Sequence, residues 1–248
     1  MLVLGGRCYP IRLEVLALTP FGPGYSVVGG SGRGHHHPVI MSSERVLLAR
    51  HGQTEWNLVG RRQGQLDSPL TERGVEQARL AAAALRGHAV DAVFTSPLGR
   101  AVTTAEIFAR ALGAAIVVVD DLAEVHHGRF AGLTHGEIER RYLREWGCRA
   151  RNKYHWRFPG GESYADADRR AAAALALIDR RLADRPLIVS HEMIGRMLLR
   201  HLLDLAPVTF LINPGTGVAG HRPRHDWLPL SLMIWGVLSP GSAGASDR

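Results

Sequence analysis

Two histidines, two arginines and one glutamate are placed along this chain so that each follows a short apolar run. Arg50-His51-Gly52 comes directly after Val46-Leu47-Leu48-Ala49, and Ser190-His191 directly after Leu187-Ile188-Val189. Arg100 stands just past Ser96-Pro97, behind Ala92-Val93-Phe94, and Glu124 lies a few residues beyond the run 116–119. Short apolar runs of this kind read as buried strands. In an open α/β sheet, ligands sit outside the carboxyl ends of the strands, so these five side chains are expected to converge. A neutral imidazole is a competent nucleophile near neutral pH, since its unperturbed pKa is about 6.5. Two guanidiniums clamp the non-bridging oxygens of a phosphoryl group, and a second imidazole donates to the same oxygens. A carboxylic acid protonates the leaving alkoxide and then activates water. The set suits phosphoryl transfer through a phosphohistidine, with cationic side chains supplying the positive field and no metal required. Taken singly, each residue is explained by ion pairing at a strand end; the ordered set is what points to chemistry.

The elements that must position these residues are legible from spacing. Val75, Ala78, Ala82 and Leu85 fall at helical intervals over 71–86 with Thr71 as N-cap. Ser96-Pro97 opens a helix running to about Leu112, proline being suited to a first turn. Further helices are expected near 135–146, 164–182 and 193–203. Strands alternating with helices predict an α/β fold, a three-layer α/β/α sandwich with a mostly parallel central sheet.

The stretch Leu48-Ala49-Arg50-His51-Gly52-Gln53-Thr54-Glu55-Trp56-Asn57 resembles the signature of the histidine phosphatase superfamily, the phosphoglycerate mutase-like family. It continues through Arg62-Gln63-Gly64-Gln65-Leu66-Asp67-Ser68-Pro69-Leu70-Thr71, and Ser96-Pro97-Leu98-Gly99-Arg100-Ala101 and Val189-Ser190-His191 match further blocks in the family's order. The resemblance covers about residues 45–205. It implies that His51 is the residue phosphorylated, that Arg50, Arg100 and His191 complete the phosphate pocket, and that Asn57, Gln63 and Gly64 line its entrance. Glu124 matches the family's proton donor. Glu192 follows His191 where related chains carry glycine or aspartate; it starts the next helix, where the dipole favours a carboxylate, or rivals Glu124 as donor. The short Gly128-Arg129-Phe130-Ala131-Gly132-Leu133-Thr134 resembles the phosphatase branch, and so does Phe158-Pro159-Gly160-Gly161-Glu162-Ser163. A mutase has to keep water from the phosphohistidine, and the mutase branch does so with a longer segment at this point. The expected activity is therefore a metal-independent phosphomonoesterase. A 2,3-bisphosphoglycerate-dependent phosphoglycerate mutase and a non-catalytic phospho-ligand binding module are the alternatives.

Composition bounds the rest. The 248 residues carry 30 basic and 23 acidic side chains, a net charge of +7, and Lys153 is the only lysine. Arginine suits phosphate, but no run of five like charges and no aromatic–basic stripe appears, so nucleic acid is not an expected partner. No run of about 18 apolar residues is present, so no membrane span is expected. Cys8 and Cys148 make neither a disulfide framework nor a zinc site, which places the chain in a reducing, cytoplasmic setting. Residues 1–43 read as a flexible N-terminal extension, Met41 being a candidate natural start, and His35-His36-His37 as a solvated loop. Residues 44–207 read as the phosphatase domain. Residues 208–248 read as a divergent C-terminal segment and tail, without the recognisable final segment by which relatives return to the sheet or pocket. His126, His127 and His135 are given loop or helix-start roles. Trp146, Tyr154, Trp156 and Phe158 form either a substrate wall or a lid packed on its own domain. No cofactor is expected, the partner is a small phosphorylated substrate, and a homodimer is left open.

Overall fold

The apolar runs alternate in which face they bury, and that alternation builds three layers. The structure is a computed structural model and describes residues 2–4, 7–9, 46–181, 183–202 and 234–238. Near the N-terminus, β1 (Leu2–Leu4) and β2 (Arg7–Tyr9) form an antiparallel pair. The central sheet contains β3 (Val46–Arg50), β4 (Ala92–Thr95), β5 (Ala115–Val118), β6 (Pro186–Ser190) and β7 (Ile234–Leu238), in the order β5-β4-β6-β3-β7. The first four run parallel, and β7 is antiparallel to β3.

Successive residues of a strand face opposite sides of the sheet. In β3, Leu47 and Ala49 join Val93, Leu187 and Val189 against α2 (Glu72–Leu85) and α3 (Gly99–Leu112). Val46 and Leu48 join Phe94 and Ile188 on the other face, against α6 (Tyr164–Asp179) and α7 (Glu192–Leu202). Both faces are covered, as a parallel sheet requires. Thr71 caps α2 by accepting from the Gly74 amide at 2.9 Å. Ser163 with Asp166 closes a capping box on α6.

Several elements differ from the spacing. Glu55–Leu58 forms a single helical turn, α1, too short to leave a period; Thr54 and Asn57 box its start. Ser96-Pro97 forms a turn before α3 rather than its first turn, because the Ser96 hydroxyl accepts from the Leu98 amide at 3.2 Å. The helix expected over 135–146 is two, α4 (His135–Arg141) and α5 (Leu143–Arg151), bent at Tyr142. The bend brings the rings of both Tyr142 and Trp146 onto Phe130, at 5.1 and 6.0 Å. The C-terminal segment does return to the sheet, as β7. The triple histidine, Met41 and residues 208–233 lie outside the described residues.

The loop after β3 crosses the first turn of α2 backbone to backbone. A Cβ on Gly74 would overlap the Gln53 carbonyl, whereas one on Gly195 meets nothing within 4 Å. Gly74→Ala is therefore expected to destabilise by about 1–3 kcal/mol through overpacking, despite better helix propensity. Gly195→Ala should gain about 0.5–1 kcal/mol. Urea unfolding midpoints of the two variants check the pair.

Candidate active site

Register brings the polar residues to one edge. Arg50 pairs with Ser190, and Thr95 with Val189, so the residues just past β3, β4 and β6 emerge side by side. The His51 amide bonds the Ser190 carbonyl at 3.0 Å, and the Ser96 amide bonds that of Val189 at 3.1 Å. The rings of His51 and His191 consequently lie 5.2 Å apart.

His51 is buried, and its Nδ1 lies 2.7 Å from the Gly52 carbonyl oxygen. That oxygen only accepts, so Nδ1 holds the proton and Nε2 presents its lone pair. Nε2 in turn accepts from Arg100 Nε at 3.3 Å. Burial, reinforced by the charges of Arg50 and Arg100, holds the imidazole well below its ordinary value, so it is neutral near pH 7. Burial does the same to His191, whose Nε2 meets the Ser96 hydroxyl at 2.8 Å and whose Nδ1 has no partner.

Arg100, 2% exposed, is tied on every side. Its two terminal nitrogens donate to the carbonyls of Leu66 at 2.8 Å and Gly64 at 2.7 Å, and to Asp67 Oδ1 at 3.0 Å. Arg50 is held by Glu192 at 3.5 Å. The carboxyl of Glu124 accepts from the Val125 amide at 2.8 Å and the Met193 amide at 3.2 Å, against the first turn of α7. Burial outweighs those amides and raises its pKa, so it holds a proton more readily than an exposed glutamate. Glu192 occupies that same first turn, salt-bridged to Arg50 and, at 2.9 Å, to Arg196.

Of the expected entrance residues, Asn57 spends its side-chain oxygen on Thr54 in the α1 cap. Gln63 donates to the Thr54 hydroxyl at 2.8 Å and leaves a buried, unpartnered Oε1. Gly64 has φ +55 and lies against His127, where a Cβ would sit 3.1 Å from the His127 side chain; its carbonyl holds Arg100. His127 lies in the loop as expected, and it is buried there. Trp146, Trp156 and Phe158 gather on the buried Phe130 ring, which makes them a packed wall of their own domain. His135 does start a helix, with Glu137 in its capping box. Asp67, Ser96 and Arg62 were not singled out by sequence reasoning. Each did have a signal, Arg62 and Asp67 in the block from Arg62 to Thr71 and Ser96 at the head of the block that holds Arg100. No group of three metal-ligating side chains occurs among the described residues, and no helix there is long and apolar enough to cross a membrane.

Two neutral imidazoles, two guanidiniums and an amide-bound carboxyl are chemically able to hold a tetrahedral oxyanion. Asp67 is a positioning residue for it, acting through Arg100. Asp67→Ala should weaken inorganic phosphate about tenfold, a loss of about 1.4 kcal/mol, while leaving circular dichroism unchanged; isothermal titration calorimetry measures it.

The comparisons with known proteins bear on the family and the fold. The family model described as histidine phosphatase superfamily (branch 1) matches residues 46–216. Phosphoserine phosphatase 1 of Hydrogenobacter thermophilus is 33% identical over 162 residues, covering 65% of this chain and 77% of that protein. "Probable phosphoglycerate mutase GpmB" of Yersinia enterocolitica is 38% identical over 169 residues, covering 66% and 76%. Among solved structures, YhfR of Bacillus stearothermophilus aligns with TM-score 0.64 at 32% identity, covering 68% of this chain and 85% of that one. A mycobacterial glucosyl-3-phosphoglycerate phosphatase with VO3 aligns with TM-score 0.61 at 31% identity, covering 68% and 84%. Over a sheet, a site edge and a matched span that coincide, the chain belongs to the histidine phosphatase superfamily, branch 1.

Proposed function

We infer that the protein is a metal-independent phosphomonoesterase that acts through a phosphohistidine on His51. The observation that carries this reading is the 2.7 Å contact of His51 Nδ1 with the Gly52 carbonyl oxygen, which assigns the ring its tautomer. Its proton is committed to the Gly52 carbonyl, so the Nε2 lone pair faces the site beside Arg100 and His191.

In the first step Nε2 forms a bond to phosphorus and the bond to the ester oxygen breaks. Glu124 passes its proton to that oxygen, and an alcohol leaves. The imidazolium so formed keeps its Nδ1–H on the Gly52 carbonyl, which stabilises the added positive charge. Arg100 Nε, released from the lone pair, turns its hydrogen bond to a phosphoryl oxygen, while its other nitrogens stay anchored. Arg50 and His191 face the remaining oxygens. In the second step the Glu124 carboxylate takes a proton from water, the water oxygen bonds to phosphorus, and the P–N bond breaks. Phosphate and neutral His51 are regenerated.

Glu124 suits the donor role better than Glu192. A donor has to hold a proton at working pH, which burial favours at Glu124, while Glu192 is engaged by two guanidiniums. Only four residues separate the turn at Gly128–Phe130 from α4 at His135, little chain with which to keep water from a phosphohistidine, and this supports hydrolysis over the retention a mutase needs. A small phosphorylated substrate fits this site.

Three outcomes test the reading. In EDTA, the wild type should release phosphate from small phosphomonoesters, and His51→Ala should lose about 10³-fold or more of kcat. Retained turnover in His51→Ala, or a strict need for Mg²⁺, would sink it. The pH profile should decline as pH rises through the raised pKa of Glu124, because only its protonated form donates. On the acid side the lowered pKa values of His51 and His191 keep both rings neutral below pH 6.5. Glu124→Gln should remove the alkaline decline and cost about 10²–10⁴-fold on esters with poor leaving groups. Glu192→Gln should leave that decline in place; the reverse pattern would reassign the donor.

A further inference from the structure

Four consecutive carbonyls lead to Glu124, and each is taken by a side chain from elsewhere in the chain. Those of Asp121 and Ala123 accept from Arg170 Nη1 at 2.8 and 3.1 Å, and that of Leu122 from the Ser190 hydroxyl at 2.9 Å. The Glu124 carbonyl accepts from Gln65 Nε2 at 3.1 Å and from Arg170 Nη2 at 3.5 Å. Beyond it, the His126 amide donates to Glu162 Oε2 at 2.8 Å, and the His126 carbonyl accepts from the Glu162 amide at 2.9 Å. Backbone groups outside regular structure have to find such partners once water is withdrawn. Here Arg170 and Glu162 supply them on the two flanks of one residue.

The two side chains are also joined to each other. Arg170 Nε meets Glu162 Oε1 at 2.7 Å and Nη2 meets Oε2 at 2.9 Å, a parallel fork. All five guanidinium donors are thereby used, two on the carboxylate and three on the carbonyls of Asp121, Ala123 and Glu124. The side chains are 22% and 19% exposed. Burial pushes the Glu162 carboxyl up, but Arg170 and the His126 amide outweigh it and hold the group below its ordinary value, so it stays charged. Both residues are firmly mounted. Arg170 stands on α6, whose Ala167, Ala171 and Ala174 are buried in the core, and Glu162 directly precedes the Ser163 cap of that helix. The turn before Glu162 lies flat on the segment it serves, since a Cβ on Gly161 would overlap the His126 carbonyl.

We propose that the Glu162–Arg170 pair positions the proton donor, fixing the backbone on either side of Glu124 and so the placement of its carboxyl against the leaving oxygen. This rests on reading Glu124 as the donor, and both residues act through it. The hydrogen bonds described for the Glu124 carboxyl all run to backbone amides, those of Val125, Met193 and Ile194. Its aim is therefore set by the backbone that carries it, and a misplacement of about 1 Å costs up to about 10²-fold in rate.

The test compares kcat/KM in EDTA for p-nitrophenyl phosphate and propyl phosphate. Nitrophenolate departs with little help from a proton, whereas an alkoxide needs one. Arg170→Met should lose about 10- to 100-fold on propyl phosphate and less than about threefold on p-nitrophenyl phosphate. Inorganic phosphate should bind as before by calorimetry. Because this variant strands the Glu162 carboxylate, Glu162→Gln/Arg170→Met, which removes both charges, is measured beside it and should show the same split. Arg170→Lys keeps the charge but not the fork and should recover only part of the loss. In a Glu124→Gln background, Arg170→Met should cost less than about twofold more, since no proton is left to place. Equal losses on the two esters in both variants, or full additivity with Glu124→Gln, overturn the proposal and leave the pair a structural staple. If no ester is turned over, or if Glu124→Gln itself shows no dependence on the leaving group, the donor reading fails instead. Crystal structures of wild type and Arg170→Met then decide the positioning alone: a Glu124 carboxyl withdrawn from the Met193 amide sustains it, and an unmoved one ends it.

Discussion

A guanidinium removed from water leaves up to five donors to be satisfied, and an unpaired buried charge is strongly destabilising. At Arg100 the solution organises the whole site edge. Its donors are taken by Gly64, Leu66, Asp67 and His51, three of them in the loop that links α1 to α2 and one just beyond β3. The loop has no regular structure to hold its shape. It takes its conformation because these carbonyls have to reach the buried fork, and Gly64 accordingly adopts a φ of +55 that other residues rarely tolerate. Asp67 packs so closely on α3 that a Cβ on Gly99 would collide with its carboxylate. One charge thus links β3, the loop and the start of α3.

Burial then divides the ionisable groups by type. A low-dielectric setting disfavours the charged form, which drives imidazoles down and a carboxyl up. His51 and His191 therefore stay neutral where Glu124 still holds a proton. A neutral imidazole and a protonated carboxyl coexist at one pH chiefly because both are dry, with the charges of Arg50 and Arg100 adding to the effect at His51. The α7 amides that bind Glu124 temper its rise while fixing its position. The helix that carries His191 at its entry thus also seats the carboxyl.

The aromatic wall has a corresponding double use. Phe130 is fully buried beneath Tyr142, Trp146, Trp156 and Phe158, and this cluster closes the sheet face away from α2 and α3. The same Trp146 ring that seals the core on one side presents two arginines on the other.

The residues themselves settle much of this. Short continuous apolar runs ending in Arg-His or Ser-His specify strands with polar tips, and strand–helix alternation specifies the layers, because local sterics and burial act on neighbouring residues. The ordered blocks around His51, Arg100 and His191 were legible through their resemblance to the family's signature. Other features depended on partners distant in sequence. Tyr142 breaks a helix that spacing reads as continuous, since the gain comes from Phe130 twelve residues earlier. The return of 234–238 beside β3 is a register event with no local period to announce it. Arg62, Asp67 and His127 look like ordinary loop residues in the chain. Only the folded arrangement makes Asp67 the anchor of a buried charge and places Arg62 and Arg149 on one ring. Sequence determines which groups can ionise and donate; tertiary structure decides which of them lose water, and loss of water sets their charge, their partners and their chemistry.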